Sequence, residues 1–302
     1  PELFISMGNE IEPPVPACGR HNIYHCQFPF PVHQTGQFSM NRIAGYDAFL
    51  VNSRFTADNI LRLLEIYGIG KCQVHVVYPP VALPSKVEQK KLLASKAKHQ
   101  AELSVLNIGR FIALGHNKRQ DVVLEVAEHA KRHDLPVHFE LYGALSSDAQ
   151  DVDWFTEQMK RARDVKAKIE ANVSRAHLEA AMVRASLYIH PCGYGCYPGI
   201  YPERIEHFGI TVVEAMGYGA IPLVYEWGGP AETVTACGVG ETFSSAGEAY
   251  VKVEQETRMT SEARLNRMLT AMKASRRYGE DKFEEAVLNM LDMEFGRQIR
   301  VG

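Results

Sequence analysis

Tryptophan occurs only twice in 302 residues, cysteine six times, and neither sign of charge dominates, with 33 Lys+Arg against 36 Asp+Glu and a formal net charge of -3. That balance excludes bulk attraction to polyanions, so no nucleic-acid partner is expected. Cys18, Cys26, Cys72, Cys192, Cys196 and Cys237 are too scattered for a disulfide framework, which suits a reducing, cytoplasmic setting. No run reaches the roughly 18 apolar residues that a membrane-spanning helix needs, and no basic-then-apolar leader opens the chain, so membrane contact is expected to be at most peripheral. There is no G-x-S-x-G elbow, and no strand end supplies G-x-G-x-x-G, which removes the elbow hydrolases and nicotinamide enzymes. The chain starts at Pro1 and enters the apolar stretch ELFISM at once, so it is expected to be a piece of something longer.

What is present is the make-up of a soluble globular protein, 46% hydrophobic and 23% charged, with length enough for two cores. From Ser104 onward, short runs rich in Val, Ile, Leu and Tyr alternate with helical segments, the pattern of a parallel sheet with crossover helices. Strands read at 104–111, 137–143, 167–173, 186–192, 220–226 and 240–243, and helices at 120–133, 153–163, 175–184, 209–217 and after Gly229. Ser174 suits an N-cap, and Gly217 and Gly219 suit a helix C-terminus. Upstream, ELFISM, NIYHCQF, DAFLVNS and QVHVVYP read as strands, and TADNILRLLEIYG as a helix capped by Thr56 and closed at Gly68. Residues 79–102, Pro-rich and then charged, suit a linker. After Ser261 the chain reads as helical, with Leu265, Met268, Leu269 and Met272 on one stripe and Arg264 among the basic residues placed mostly on other faces. A membrane-surface role for that stripe is outweighed by ordinary packing on its own domain. The expected class is therefore α/β, with a doubly wound Rossmann-like C-terminal domain over 97–278, a partial Rossmann-like N-terminal domain and linker over 1–96, and a last helix over 279–302 reaching back to it.

In open α/β sheets ligands bind where the strands end, so the loops there matter most. One loop carries Gly109-Arg110 and then Lys118-Arg119 before a helix, cations suited to a phosphate or diphosphate. A second, ERIEHFGITVVEAM, places Glu206 before a helix start and Glu214 eight residues on. The helix start favours an anion, whereas carboxylates would repel one and instead take hydroxyl partners; a nucleotide sugar offers both. The plain alternative, Glu206 as a cap and Glu214 as a solvated residue, fails in part because Glu214 has apolar neighbours in ITVVEAM. A third loop, EWGGPAE, has Gly228 and Gly229, whose amides suit close approach to a phosphate. Two metal readings carry less weight: His190, Cys192 and Cys196 lack an evident fourth ligand, and the D-x-D of 151–153 precedes a helix, where acids cap. No metal is expected.

The pieces GRF…GHNKRQD, EHFGITVVEAMGYGAIPLV and GGPAETV, in that order, resemble the sugar-donor half of a family 4 glycosyltransferase of the GT-B fold, including its E-x7-E motif. YDAFLVNSRFTADNI and VVYPPV resemble the last part of the acceptor domain, so the likeness extends over nearly the whole chain. It implies a retaining, metal-independent hexosyltransferase with no cofactor beyond its nucleotide-diphosphate sugar. Arg110 and Lys118 would neutralise the diphosphate, Glu214 would accept from the ribose hydroxyls, and Glu206 from the transferred hexose. The amides of Phe208, Gly209, Ile210 and Thr211 would hold sugar and phosphate, Asn172 and Val173 would lie against the base, and Gly193 would give a pliant loop beside the sugar. The family's glycine-rich acceptor-domain loop is absent from the sequence, Gln27 stands where a histidine is common, and the Arg110–Lys118 gap is longer than usual. UDP, GDP and ADP, and glycan, lipid and small-molecule acceptors, all stay open, as do a non-catalytic nucleotide-sugar binder and a sugar-nucleotide epimerase of the same fold.

Overall fold

A computed structural model describes residues 1–30, 40–70, 72–98 and 103–296. By internal contacts the chain divides into two compact units, Pro1–Pro80 with Tyr278–Gly302, and Val81–Arg277. In the first unit β1 (Leu3–Glu10), β2 (His21–Phe30), β3 (Ala48–Val51) and β4 (Gln73–Val76) form a parallel sheet in chain order, with helices α1 (Met40–Ala44) and α2 (Arg54–Ile66) between them. The strand β3 is buried throughout, as an AFLV run covered on both faces must be. Ser53, not Thr56, caps α2: its hydroxyl accepts the Thr56 N–H at 3.1 Å, and the Thr56 hydroxyl donates to Asn52 Oδ1 at 2.6 Å. Both hydroxyls can cap in sequence, and only the position of the first helical residue, Arg54, separates them. The last helix, Glu280–Phe295, packs Met290 and Leu291 against Ile23, Leu50 and Val77, and Glu294 Oε1 meets His75 Nε2 at 2.7 Å. Edge strand β1 leaves Ile5 and Met7 more than half exposed.

The second unit opens with α3 (Lys86–Lys98) and continues β5 (Leu103–Ile108), α4 (Gln120–Arg132), β6 (Val137–Gly143), α5 (Ala149–Val165), β7 (Lys168–Ala171), α6 (Arg175–Arg184), β8 (Leu187–His190), α7 (Ile210–Gly217), β9 (Ile221–Tyr225), α8 (Gly229–Cys237), β10 (Glu241–Phe243), α9 (Ala246–Thr257) and α10 (Ser261–Ser275). All six strands are parallel, in the order β10-β9-β8-β5-β6-β7. The chain therefore builds outward from β5 in one direction, then returns and builds outward from β8 in the other. Alternate residues feed opposite faces: Val105 and Ile189 join a core with α4, α5 and α9, while Leu106 and Tyr188 join a core with α6, α7 and α8.

Four sequence readings need correction here. The linker reading of 79–102 gives way to α3, and contacts divide the chain between Pro80 and Val81 rather than at residue 96, because Gln89 Nε2 donates to the Gly217 carbonyl at 2.9 Å and buried Lys96 to the Ala185 carbonyl. Asp151 and Asp153 lie inside α5, which Asp148 caps by accepting the Gln150 N–H at 2.9 Å. Helix α9 was not anticipated, although Ser245-x-x-Glu248 is a capping-box spacing, with Ser245 Oγ accepting the Glu248 N–H at 3.1 Å. Arg264 is buried, and its Nη2 donates to the Glu256 carbonyl near the end of α9. Ser174 does cap α6, accepting the His177 N–H at 3.2 Å. Among the described residues no helix is long and apolar enough to cross a membrane.

Candidate functional site

Where strand order reverses, the loops after neighbouring strands diverge to opposite faces and leave a crevice at the strand ends. Here those strands are β5 and β8, so residues 109–119 and 191–209 form its walls. Arg119, left-handed at φ 55°, starts α4 and ties the two loops: its guanidinium pairs with Asp121 at 2.9 Å, donates to the Tyr194 carbonyl, and lies 5.2 Å over the Tyr194 ring. Its neighbour Lys118 is thereby left to face the other way. Lys118 Nζ donates to Glu206 Oε2 at 2.5 Å, and His190 Nε2, on the last residue of β8, meets the same oxygen at 2.9 Å.

The backbone around Glu206 is pinned as well. Its carbonyl accepts the Gly229 N–H at 2.9 Å. A Cβ on Gly228 would stand 2.3 Å from the Glu206 oxygen, and one on Gly229 would stand 2.2 Å from the His207 oxygen. These glycines let the β9–α8 turn pass against residues 206–208, and the Gly229 amide expected to meet a phosphate is engaged by the Glu206 carbonyl instead. Gly193, at φ +91°, packs its Cα side on Ile205, where a Cβ would lie 3.0 Å from the backbone, so it braces the same segment.

Charge follows from this packing. Burial opposes ionisation of Glu206, but Lys118 and His190 outweigh it and hold the carboxyl well below the usual carboxylate range. Burial also opposes the Lys118 charge, and Glu206 overcomes it, so Lys118 is held above the ordinary lysine value. Beside them the rings of His116 and His207 stack 4.9 Å apart, and burial pushes them down to about 4 and about 3. At neutral pH the Lys118–Glu206 ion pair is thus flanked by the uncharged imidazoles of His116 and His207. Arg110 is exposed, and its charge acts on both Lys118 and His116.

The second glutamate has a partner that sequence reasoning missed. Glu214, on the buried face of α7, accepts from Arg175 Nη1 at 2.8 Å, and Arg175 Nε also holds Glu179 at 2.9 Å. Nothing in the sequence links positions 39 apart, since only the packing of α6 beside α7 joins them. At the start of α7, Phe208 is buried, Gly209 is left-handed at φ 85°, Ile210 is exposed, and no side chain caps the helix, so its first amides stay open to an anion. The Thr211 hydroxyl meets Tyr188 Oη at 2.7 Å. Asn172, at φ 56°, clamps the loop after β6 through the Leu145 N–H at 3.0 Å and carbonyl at 3.2 Å, and Val173 packs into the α6–α7–α8 core.

The trio His190, Cys192 and Cys196 is not what the fold gathers. The His116, Cys192 and Glu206 ligand atoms lie within 4.8 Å of one another instead. A metal there would have to displace the Lys118 ammonium from Glu206 and ionise a thiol that burial holds neutral. The two loops also line an open cleft of about 310 Å³ between Leu114, Trp154, Tyr194 and Arg204, and neither Lys118 nor Glu206 is on its walls.

The human GDP-Man:Man(3)GlcNAc(2)-PP-Dol alpha-1,2-mannosyltransferase is 23% identical over 286 residues, covering 90% of this chain. This chain spans about half, 52%, of that relative's length. A UDP-forming trehalose-phosphate synthase from Burkholderia xenovorans superposes with a TM-score of 0.65 at 9% identity, over 90% of this chain and 68% of its own. TarM from S. aureus, solved with UDP, gives a TM-score of 0.60 at 15% identity, over 90% of this chain and 51% of its own. These likenesses bear out the expected GT-B-like α/β fold. The sequence profile of the glycosyl transferases group 1 matches residues 88–252, more than half of the 302, and the chain belongs to that family.

Proposed function

We propose that this chain moves a hexose from a nucleotide-diphosphate sugar to an acceptor hydroxyl, with retention of configuration and without a bound metal. The observation that carries the reading is the Lys118–Glu206 pair at the point of strand reversal, under the open amide end of α7 and next to exposed Arg110. In such a transfer the bond from the anomeric carbon to the diphosphate oxygen breaks, a bond to the acceptor oxygen forms on the same face, and the acceptor proton leaves with the diphosphate. The protein's part is to stabilise the charge that develops on the leaving group and to fix the sugar. Lys118, Arg110 and the first amides of α7 serve the diphosphate, Glu206 the hexose, and Glu214 the ribose, for which it must share or release Arg175. Asn172 and Val173 would border the base.

The mannosyltransferase relative makes GDP-mannose the first sugar donor to try, with a lipid-linked oligosaccharide as first acceptor. Calorimetric titration with GDP, UDP and ADP tests the site. Binding of one of them, weakened in Glu214→Ala, is the expected result, and failure of all three to bind would overturn the reading. Binding without turnover of any nucleotide sugar would show this chain to be a sugar-donor-binding module.

A further inference from the structure

Resting on that reading, one conflict stands out in the site. Lys118 cannot give its ammonium fully to a diphosphate while it is spent on Glu206 at 2.5 Å, and Glu206 is too buried to lose its ammonium partner cheaply. We propose that His190 is a positioning residue, one that holds the Glu206 carboxylate in place when an incoming diphosphate draws Lys118 away.

The two partners of Glu206 differ in what can move. Lys118 is a point charge on a flexible four-carbon stem, able to turn from carboxylate to phosphate by rotating its own torsions. His190 has no such freedom. It ends a strand buried along its whole length, is 2% exposed, and stacks on Tyr188 at 6.1 Å and 15°. Tyr188 is fixed in turn, its hydroxyl bonded to the Ile108 carbonyl at 2.9 Å and to Thr211 Oγ1 at 2.7 Å. The strand and the stack together aim Nε2 at Glu206.

Hydrogen-bond bookkeeping points the same way. An ionised carboxylate only accepts, so Nε2 carries the proton of that bond. Nδ1 is buried with no hydrogen-bond partner in the structure. An apolar residue of similar shape would spare the fold that unsatisfied atom, so the imidazole contributes nothing that packing alone would ask for. Among the described residues the one polar contact of its ring is with the carboxylate that the proposed mechanism needs held still.

The test compares sugar-specific binding with nucleotide binding. GDP and GDP-mannose, and in parallel UDP and UDP-glucose, are titrated calorimetrically into the 302-residue chain, His190→Phe, His190→Gln, Glu206→Ala and the His190→Phe/Glu206→Ala double variant. Thermal melts confirm that each variant is folded. His190→Phe is expected to weaken nucleotide-sugar binding about tenfold, the loss of one hydrogen bond to a charged group, and diphosphate binding by clearly less, since without a sugar to hold Glu206 is free to follow Lys118. His190→Gln, which can present an amide N–H near the Nε2 position, should recover most of the loss. The double variant should bind no worse than Glu206→Ala, since His190 acts through that carboxylate. The proposal is overturned if His190→Phe weakens diphosphate and nucleotide sugar alike, if it weakens neither, or if the two substitutions add. If the unaltered chain binds neither these four nucleotides nor ADP, the sugar-donor reading falls and this proposal falls with it.

Discussion

The two units are built from the same parts, parallel strands with crossover helices, yet among the described residues only the second gathers buried charges. The first unit's sheet runs β1-β2-β3-β4 in chain order, whereas the second unit's sheet reverses between β5 and β8. Without a reversal, the loops at the strand ends follow one another round the same side and leave no crevice. Among the described residues, buried polar groups of the first unit are spent on its own fold: Ser6 Oγ meets Tyr46 Oη at 2.8 Å, and Tyr24 Oη donates to the Glu10 carbonyl at 2.7 Å. In the second unit a carboxylate, an ammonium and three histidines meet at the reversal. Among the described residues, strand order more than composition decides where buried charges meet.

Substitutions can break that contrast. The largest effect is expected for Lys118→Met, which leaves the Glu206 carboxylate buried without its cation and should cost about 3 kcal/mol in urea unfolding, besides weakening nucleotide binding. A Glu206→Gln/Lys118→Met double variant should cost less than the sum, and simple additivity would show that the pair is not coupled. Next is Gly229→Ala, whose Cβ would meet the His207 carbonyl at 2.2 Å; a loss of about 2 kcal/mol is expected. In the first unit Gly70 has nothing within 4 Å, so Gly70→Ala should change stability by no more than about 0.5 kcal/mol. Equal effects at the two glycines would erase the contrast.

A further effect appears only in acid. His116, with an ordinary value of 6.5, is held at about 4 in the folded chain, so between those values the unfolded chain takes up a proton that the folded one refuses. The contribution is whole above pH 6.5 and is lost as the pH falls toward 4, reaching about 2 kcal/mol at pH 5. Glu206, held low, adds a loss of the same sign as its carboxyl protonates below the usual range. His207, held at about 3, adds a loss of the same sign over the same window, so melting temperatures at pH 7, 6 and 5 should fall, and His116→Phe should remove only part of the slope. Burial lowers His25 of β2 as well, so hydrogen exchange near that strand gauges how much acid lability belongs to the first unit.

The sheet of the second unit was readable because its signals are local: SLYIHPC and AIPLVYE are apolar runs of strand length bounded by turns, and Ser174 is a cap that needs only its own helix. Boundaries drifted where two hydroxyls competed to cap, as with Ser53 and Thr56, and a charged helix looked like a linker because the bond from Gln89 to Gly217 closes a loop of 128 residues. At the site, residue types were legible and partnerships were not. Lys118 and Glu206 stand 88 apart, and their mutual spending, like that of Arg175 on Glu214, depends on which strands end side by side. Gly228 and Gly229 were read as ligand-facing, since a glycine carries no mark of whether a phosphate or a neighbouring backbone requires it.

Edge strand β1 has a practical consequence. The edges of the second unit are short and charged, four residues in β7 with Lys168 and Glu170, and three in β10 with Glu241 held by Lys252 and Arg267. Strand β1 has eight residues and turns Ile5 and Met7 outward at 53% and 57% exposure. A long edge with bare apolar side chains can recruit another strand, so among the described strands β1 is the one expected to promote self-association of the purified chain. Light scattering against concentration should show self-association that Ile5→Lys suppresses, and an Ile5→Lys protein that still associates would place the sticky surface elsewhere.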